Sequence, residues 1–365
     1  MRFAPVSAAT LVAADSGATE NPEAHKLPAY PMLDWLRFAL ASGVVLEHLG
    51  ISYGPLGGSL WVSVFLSLSG WLIGGILLKS ESGELPRFFY NRATRIWAPY
   101  FAAIFLLYTT AALREGIDAN WFKYLFYDVT FTHYNFTEFP RASLEMPLKA
   151  TGNMFWSLAV EEQFYLAAPL LMLFTRWGKS TTTWGVISLA LMAGQSIAAP
   201  VAAGVFAAAL DQRHSILSST AWRVATIAIT VASAVALFWM NVQPFRSLFS
   251  IGVVLMLATP GKRSAAGKFF GAISFPLYLN QWVGGFSVAA FSKYVLPVHP
   301  LFGKPLAYLA GILVAVAAWY IVDRTVMLYR DGWYTPTRGR ALGVTAYLLV
   351  TVGLIGGNVL RTLGQ

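Results

Sequence analysis

Cysteine is absent from the 365 residues. That excludes disulfides, thiolate nucleophiles and cysteine-held metals, and it leaves the redox compartment unreadable. Charge is scarce as well: Asp, Glu, Lys and Arg together make up 12% of the chain, against ~25% in a soluble domain. So few charges cannot cover a water-facing surface of this size. A soluble globular protein is therefore excluded, and with 56% hydrophobic residues so is a disordered chain. There is no internal repeat, no Gly-rich phosphate loop and no cluster of metal ligands, so no metal is expected. What is there is apolar and aromatic: mean hydropathy is +0.57, and Phe, Trp and Tyr make up 15%. This composition predicts an all-α fold, a polytopic transmembrane helical bundle.

Apolar runs fall at 33–50, 60–78, 97–113, 153–175, 184–198, 200–210, 223–240, 246–259, 272–291, 305–322 and 341–360. Several approach the ~20 residues that span a bilayer. The stretch 184–210 contains Pro200 and reads either as one kinked helix or as two short segments. Charge separates these readings. With two segments and a cytoplasmic N-terminus, the inner tail and loops hold 18 of the 26 Lys and Arg residues. With one segment, the basic loops 260–270 and 323–340 would lie outside, against the positive-inside rule. The expectation is 10–11 spans, the lower number if 200–210 is re-entrant, with the C-terminus outside. The net charge of +9 then belongs to inner loops, and no nucleic-acid partner is expected.

Residues 1–31 read as a flexible N-terminal tail. A cleaved signal over residues 3–14 is the alternative, weakened by Pro5, Ser7 and Thr10. Residues 32–361 read as one transmembrane domain. The long loop 114–154 carries Trp121, Phe122, Tyr124, Phe126 and Tyr127 and is expected to lie against the outer membrane surface.

Ionisable residues within spans are costly and are functional candidates by default. In the first span, Asp34, Arg37 and His48 fall on one helical stripe, because eleven residues at 100° each bring His48 back to within about 20° of Arg37. Roughly 16 Å of helix axis separates these two. Arg92 and Arg95 stand at i, i+3 and face one way, and arginine forks suit phosphate. Ser157, Glu161 and Tyr165 recur at i, i+4, i+8, with Glu162 turned 100° away. Asn280 and Gln281 lie mid-span between Tyr278 and Trp282. Each feature also has a plainer reading. Arg37 could be an interfacial anchor, His48 an interfacial polar group, the Arg92–Arg95 pair inner-loop charge, Glu161 part of an ion pair, and Gln281 an interhelical hydrogen bonder.

In chain order these segments resemble the acyltransferase 3 family of integral membrane acyltransferases. Arg37, ten residues and His48, preceded by Leu33-Asp34, resemble the family's opening. Phe65-Leu66-Ser67-Leu68-Ser69-Gly70-Trp71 resembles its second span. Arg92-Ala93-Thr94-Arg95, followed by Pro99-Tyr100, resembles its RxxR element. Trp156-Ser157-Leu158-Ala159-Val160-Glu161-Glu162-Gln163-Phe164-Tyr165 and Ile273-Ser274-Phe275-Pro276-Leu277-Tyr278-Leu279 resemble two later segments. The likeness covers about 32–330. There are departures: Gln281 stands where a histidine is usual, so a proton role there is in doubt, and Asp323-Arg324-Thr325 replaces a Glu-x-Pro.

The resemblance implies acyl transfer from acetyl-CoA or another acyl-CoA to a hydroxyl of a carbohydrate acceptor such as a surface or exopolysaccharide, or of a lipid-linked glycan. It implies a multi-pass protein of the cell (inner) membrane, in contact with membrane lipid. His48 is the expected base, or the carrier of the acyl group, and Glu161 its orienting partner. Arg37, Arg92 and Arg95 are expected to hold the CoA anion. Asp34, Ser69, Trp156, Glu162, Tyr165, Tyr278 and Gln281 are supporting residues. With no appended hydrolase-like domain in this sequence, the bundle itself is expected to perform the chemistry. A secondary transporter or permease is the rival reading; it predicts two related halves with broken helices, and none is visible. A glycan- or lipid-binding structural protein is a third.

Overall fold

In hydrocarbon a backbone N–H or C=O finds no water, so an apolar run has to close its hydrogen bonds within itself. All eleven apolar runs do so as helices. The computed structural model describes residues 29–138 and 141–363. The first helices are α1 Pro31–His48, α2 Ser59–Lys79 and α3 Leu85–Glu115. After the loop helix α4 Ala119–Val129 come α5 Trp156–Phe174, α6 Thr181–Ala193, α7 Ala199–His214, α8 Thr220–Trp239, α9 Gln243–Leu257 and α10 Ala265–Tyr294. The last are α11 Pro300–Ala318, α12 Arg324–Trp333 and α13 Pro336–Leu363. Among the described residues there is no strand.

Among the described residues six helical segments are long and apolar enough to cross a membrane: Gly54–Lys79, Ser82–Glu115, Pro147–Phe174, Thr220–Trp239, Leu301–Trp333 and Pro336–Thr362. α6 and α9 are shorter apolar helices. α1 carries Asp34, Arg37 and Glu47 within its 18 residues, and α7 has only 16. The eleven apolar runs are all helical, but against the expected 10–11 spans six segments among the described residues meet the length and apolarity of a span unaided. The rest are helices whose polarity or shortness is tolerated where protein surrounds them.

The expected tail lies outside the described residues as far as residue 28. Tyr30 is already packed, edge-on to Trp71 with ring centroids 4.9 Å apart. Pro31 opens α1, where its missing N–H would have had no helical partner.

The stretch 184–210 is two helices. α6 ends at Ala193, Gln195 takes a left-handed φ of 54°, and Pro200 sits in the first turn of α7 rather than kinking a continuous helix. α7 is buried along most of its first eleven residues, held against α2 by glycine. A Cβ on Gly70 would lie 2.0 Å from the Val201 carbonyl oxygen, and one on Gly204 2.2 Å from that of Ser67. Ser67 Oγ donates to the Pro200 carbonyl at 3.0 Å. Small residues allow this close backbone approach between membrane helices. Gly70→Val is therefore expected to destabilise the bundle by about 3 kcal/mol or more, since the obstacle is backbone. A lower thermal midpoint in detergent, read by size-exclusion recovery, checks this.

The loop 114–154 does not simply lie on a membrane surface. Tyr124, Tyr127 and Asp128 are buried, although Phe122 is exposed. His133 and Asp128 are both fully buried and paired at 2.6 Å between Nδ1 and Oδ1. Tyr108 OH donates to Asp128 Oδ2 at 2.6 Å, and Tyr100 OH to the Asp128 carbonyl at 2.9 Å. These polar ties draw the loop onto α3. On its other side Gly353, Gly356 and Gly357 of α13 make room for Thr130, Phe126 and Phe136. The loop thus forms a folded lobe over the end of the bundle where His48 stands.

Candidate active site

The Asp34–Arg37–His48 stripe of α1 has α10 as its main neighbour. The two helices run side by side in the same direction: Asp34 lies against Gly271, where a Cβ would meet the Asp34 Cβ at 2.9 Å, and His48 lies against Gln281. Asp34 is 3% exposed and is held by a residue the sequence reading passed over. Arg263 donates to it through Nε at 2.6 Å and through an NH₂ group at 2.8 Å, a two-pronged pair of the geometry guanidinium favours. Arg37 stands 3.6 Å from the same carboxylate. Asp34 therefore fixes the end of α1 and shares its charge between two arginines.

At the opposite end of the stripe, His48 Nδ1 lies 2.7 Å from Gln281 Oε1. Gln281 is buried, and its Nε2 donates to the Tyr278 carbonyl at 3.2 Å and approaches Met154 Sδ at 3.3 Å. Tyr278 in turn reaches α5, with its hydroxyl 2.7 Å from Ser157 Oγ and donating to the Met154 carbonyl at 2.8 Å. The helical spacing on α5 then carries the polar line onward. Tyr165, two turns beyond Ser157, has its hydroxyl 2.7 Å from Ser69 Oγ of α2 and donates to Glu161 Oε2 at 3.2 Å. Arg92 of α3 covers the Tyr165 ring, its guanidinium carbon 5.1 Å from the centroid.

The expected meeting of His48 with Glu161 is not among the contacts of the described residues. The imidazole is oriented by Gln281, and Glu161 belongs with Ser69, Tyr165 and Arg92. The α5 stripe puts the Glu161 carboxylate one turn along the helix from Ser157, on the arginine side. Glu162 faces elsewhere, as its 100° offset requires. It is 4% exposed, accepts from Trp97 Nε1 at 3.3 Å, and its second oxygen is buried without a hydrogen bond. Trp156 lies partly buried against the outer lobe, its ring 6.1 Å from that of Tyr134.

At the Arg37 end, guanidinium groups gather. Arg37, Arg92 and Arg330 all lie close enough to Arg95 to act on its charge. Arg95 itself is solvent-exposed. Arg330 was read in the sequence only as loop charge. It is placed by α12, where Tyr90 OH donates to its carbonyl at 2.7 Å and Arg87 pairs with Asp331. Asp323 also reaches this group, from a π-helical turn over Trp319–Asp323, and its Oδ2 is buried without a partner.

The result is a polar track through an apolar bundle. It joins an imidazole at one end to a cluster of four arginines at the other, by way of Gln281, Tyr278, Ser157, Glu161, Tyr165 and Ser69. The arginine end can bind an anion of several charges. The imidazole end can accept a proton. Among the described residues no group of His, Asp and Glu suited to holding a metal ion occurs.

Residues 30–324 match a family described as acyltransferase domain. A peptidoglycan O-acetyltransferase of Listeria monocytogenes is 32% identical over 162 residues, which cover 41% of this chain and 25% of that protein. A putative O-acetyltransferase of Staphylococcus aureus is 32% identical over 196 residues, 46% of this chain and 30% of the relative. A putative peptidoglycan O-acetyltransferase of Bacillus subtilis is 31% identical over 155 residues, 39% of this chain and 23% of the relative. The matched part thus spans less than a third of the length of each of these relatives. No solved structure matches.

Proposed function

The chain belongs to this acyltransferase family, and on that premise we propose that it moves an acyl group, acetyl in the first instance, from acyl-CoA to a hydroxyl of a carbohydrate acceptor. The observation that carries the proposal is the line of polar groups between His48 and the arginine cluster: one hydrogen-bonded set runs from His48 to Ser157 and a second joins Ser69, Tyr165 and Glu161 to Arg92, one turn of α5 further on. A transporter needs no base at one end and no polyanion site at the other. The names of the relatives favour a peptidoglycan sugar as acceptor and an acetyl group as cargo.

In this reading Arg92, Arg95, Arg37 and Arg330 hold the phosphates of the donor, which supplies an activated acyl thioester. Guanidinium forks pair with phosphate at two points and stay charged when partly desolvated. The roughly 16 Å of α1 between Arg37 and His48 is of the order of an extended pantetheine arm by bond counting. His48 takes the proton of the acceptor hydroxyl as its oxygen bonds to the acyl carbon and the carbon–sulfur bond breaks. The imidazolium then returns that proton to the departing thiolate. Asp34 holds Arg37 through its shared charge with Arg263. Glu161, Ser69 and Tyr165 set the position of Arg92. The positive-inside balance of loops supports a cytoplasmic arginine end, on the side where acyl-CoA is made, with His48 toward the opposite face.

Radiolabelled acetyl-CoA supplied to inverted membrane vesicles containing the chain tests this. Label is expected in the glycan fraction, and much less of it from sealed right-side-out vesicles. If acetyl-CoA, succinyl-CoA and longer acyl-CoA donors all leave glycan and lipid unlabelled, the acyltransferase reading falls.

A further inference from the structure

The His48 site carries an asymmetry that its chemistry depends on. A neutral imidazole has one N–H and one lone pair, and the partner of one nitrogen decides which is which. Here the partner is an amide. Gln281 Nε2 is committed to the Tyr278 carbonyl at 3.2 Å, and a carbonyl can only accept. The amide must therefore turn Oε1 toward His48, as it does at 2.7 Å. An amide oxygen also only accepts, so the proton between them belongs to His48 Nδ1. The Nε2 lone pair is left on the outer edge of the ring, and His48 as a residue is exposed.

We infer that Gln281 is a positioning residue that holds His48 as its Nδ1–H tautomer and so makes Nε2 the single basic edge presented to the substrates. This deepens the proposed function and rests on His48 being the base of that reaction. In the Ser–His–Asp arrangement a carboxylate fixes the tautomer and stabilises the charged ring together. Gln281 separates these two effects: it fixes the tautomer and brings no charge. Charged groups on α1 and on the elements packed around it and α10 are engaged elsewhere. Glu47 accepts from the Gly58 backbone N–H. Lys304 of α11 donates to the Gly50 carbonyl at 3.0 Å. Arg246 of α9 donates to Asn241 at 2.6 Å, and Arg114 of α3 lies over the Phe286 ring at 5.1 Å. On α2 the charged residue is Lys79, at the helix's far end. Among the described residues none of these has a hydrogen bond or ion pair to the imidazole.

Two measurements test the inference. The first needs no turnover: nitrogen NMR on the full chain in lipid nanodiscs, labelled at histidine, with the His48 signal among the five histidines identified by its loss in His48→Asn. The expected result is a protonated Nδ1 and a bare Nε2 at alkaline pH; an Nε2–H tautomer overturns the inference whatever the activity. The second is kinetic. Gln281→Leu removes the acceptor without adding charge, and it should lower kcat by about tenfold or more with the acyl-CoA KM unchanged, since general-base catalysis is worth 10²–10⁴-fold in all. Gln281→Glu keeps an acceptor and adds charge. It should retain catalysis while the acid limb of the pH–rate profile moves up by about one unit, because a carboxylate favours the protonated ring. A limb unmoved in Gln281→Glu, together with wild-type kcat in Gln281→Leu, would show that Gln281 only packs. If the tautomer is as expected but His48→Ala keeps full activity, it is the proposed base that fails and the tautomer assignment stands.

Discussion

Alanine in place of His48 is expected to lower acyl transfer by about 10²- to 10⁴-fold, the usual contribution of a positioned general base. The loss should fall on the chemistry and not on the fold. His48 is the last residue of α1 and is exposed, and its side-chain bond is to Gln281. Removing the ring leaves one amide oxygen unpaired, a cost of about 1–3 kcal/mol, while the Asp34–Arg263 pair at the far end of α1 still anchors the helix. The check is a labelled-transfer rate normalised to monodisperse protein extracted from the membrane. Full activity in folded His48→Ala would remove the base from this position.

The second large effect concerns the donor. Arg92→Ala combined with Arg95→Ala is expected to raise the acyl-CoA concentration needed for half-maximal rate by about 100-fold or more. Hydrogen bonds to charged groups contribute about 1.5–3 kcal/mol each, and about 1.4 kcal/mol is a factor of ten in affinity. The acceptor requirement should stay where it was. The two arginines also differ in a testable way. Arg92 covers the Tyr165 ring, so its loss disturbs the Glu161–Ser69–Tyr165 group as well. Arg95 has the guanidinium groups of Arg37, Arg92 and Arg330 around it, so Arg95→Ala alone should act on the donor with little change in kcat. Lysine at both positions should restore part of the affinity, since it returns the charge but not the fork. A changed acceptor requirement with an unchanged donor requirement would place the anion site elsewhere.

Much of this was legible from residues alone. Low charge and eleven apolar runs determined a helical membrane bundle, because the bilayer leaves an apolar chain few other ways to satisfy its backbone. Helical periodicity determined which groups share a stripe. Asp34 and His48 do lie along the same neighbouring helix, with Arg37 beside Asp34, and Ser157, Glu161 and Tyr165 do form a single line on α5. Five motifs in order pointed to the family before any geometry was known.

Contacts between distant segments were decided only by the tertiary structure. Glu161 was expected beside His48 from depth along the helix, but depth fixes height in the bundle and not rotation about the axis. Packing gave the imidazole to Gln281, 233 residues away in the chain, and gave Glu161 to Ser69 and Tyr165. Arg263 and Arg330 looked like ordinary loop charges, since the positive-inside rule accounts for them without any partner. The buried Asp128–His133 pair was hidden in a loop whose aromatic content suggested a membrane surface; nothing in its local pattern announces that the loop folds into a lobe around it. Periodicity is a property of one helix and can be counted along the chain. Which helix faces it depends on backbone approaches such as that of Gly70 to Val201, which exist only once the bundle has formed.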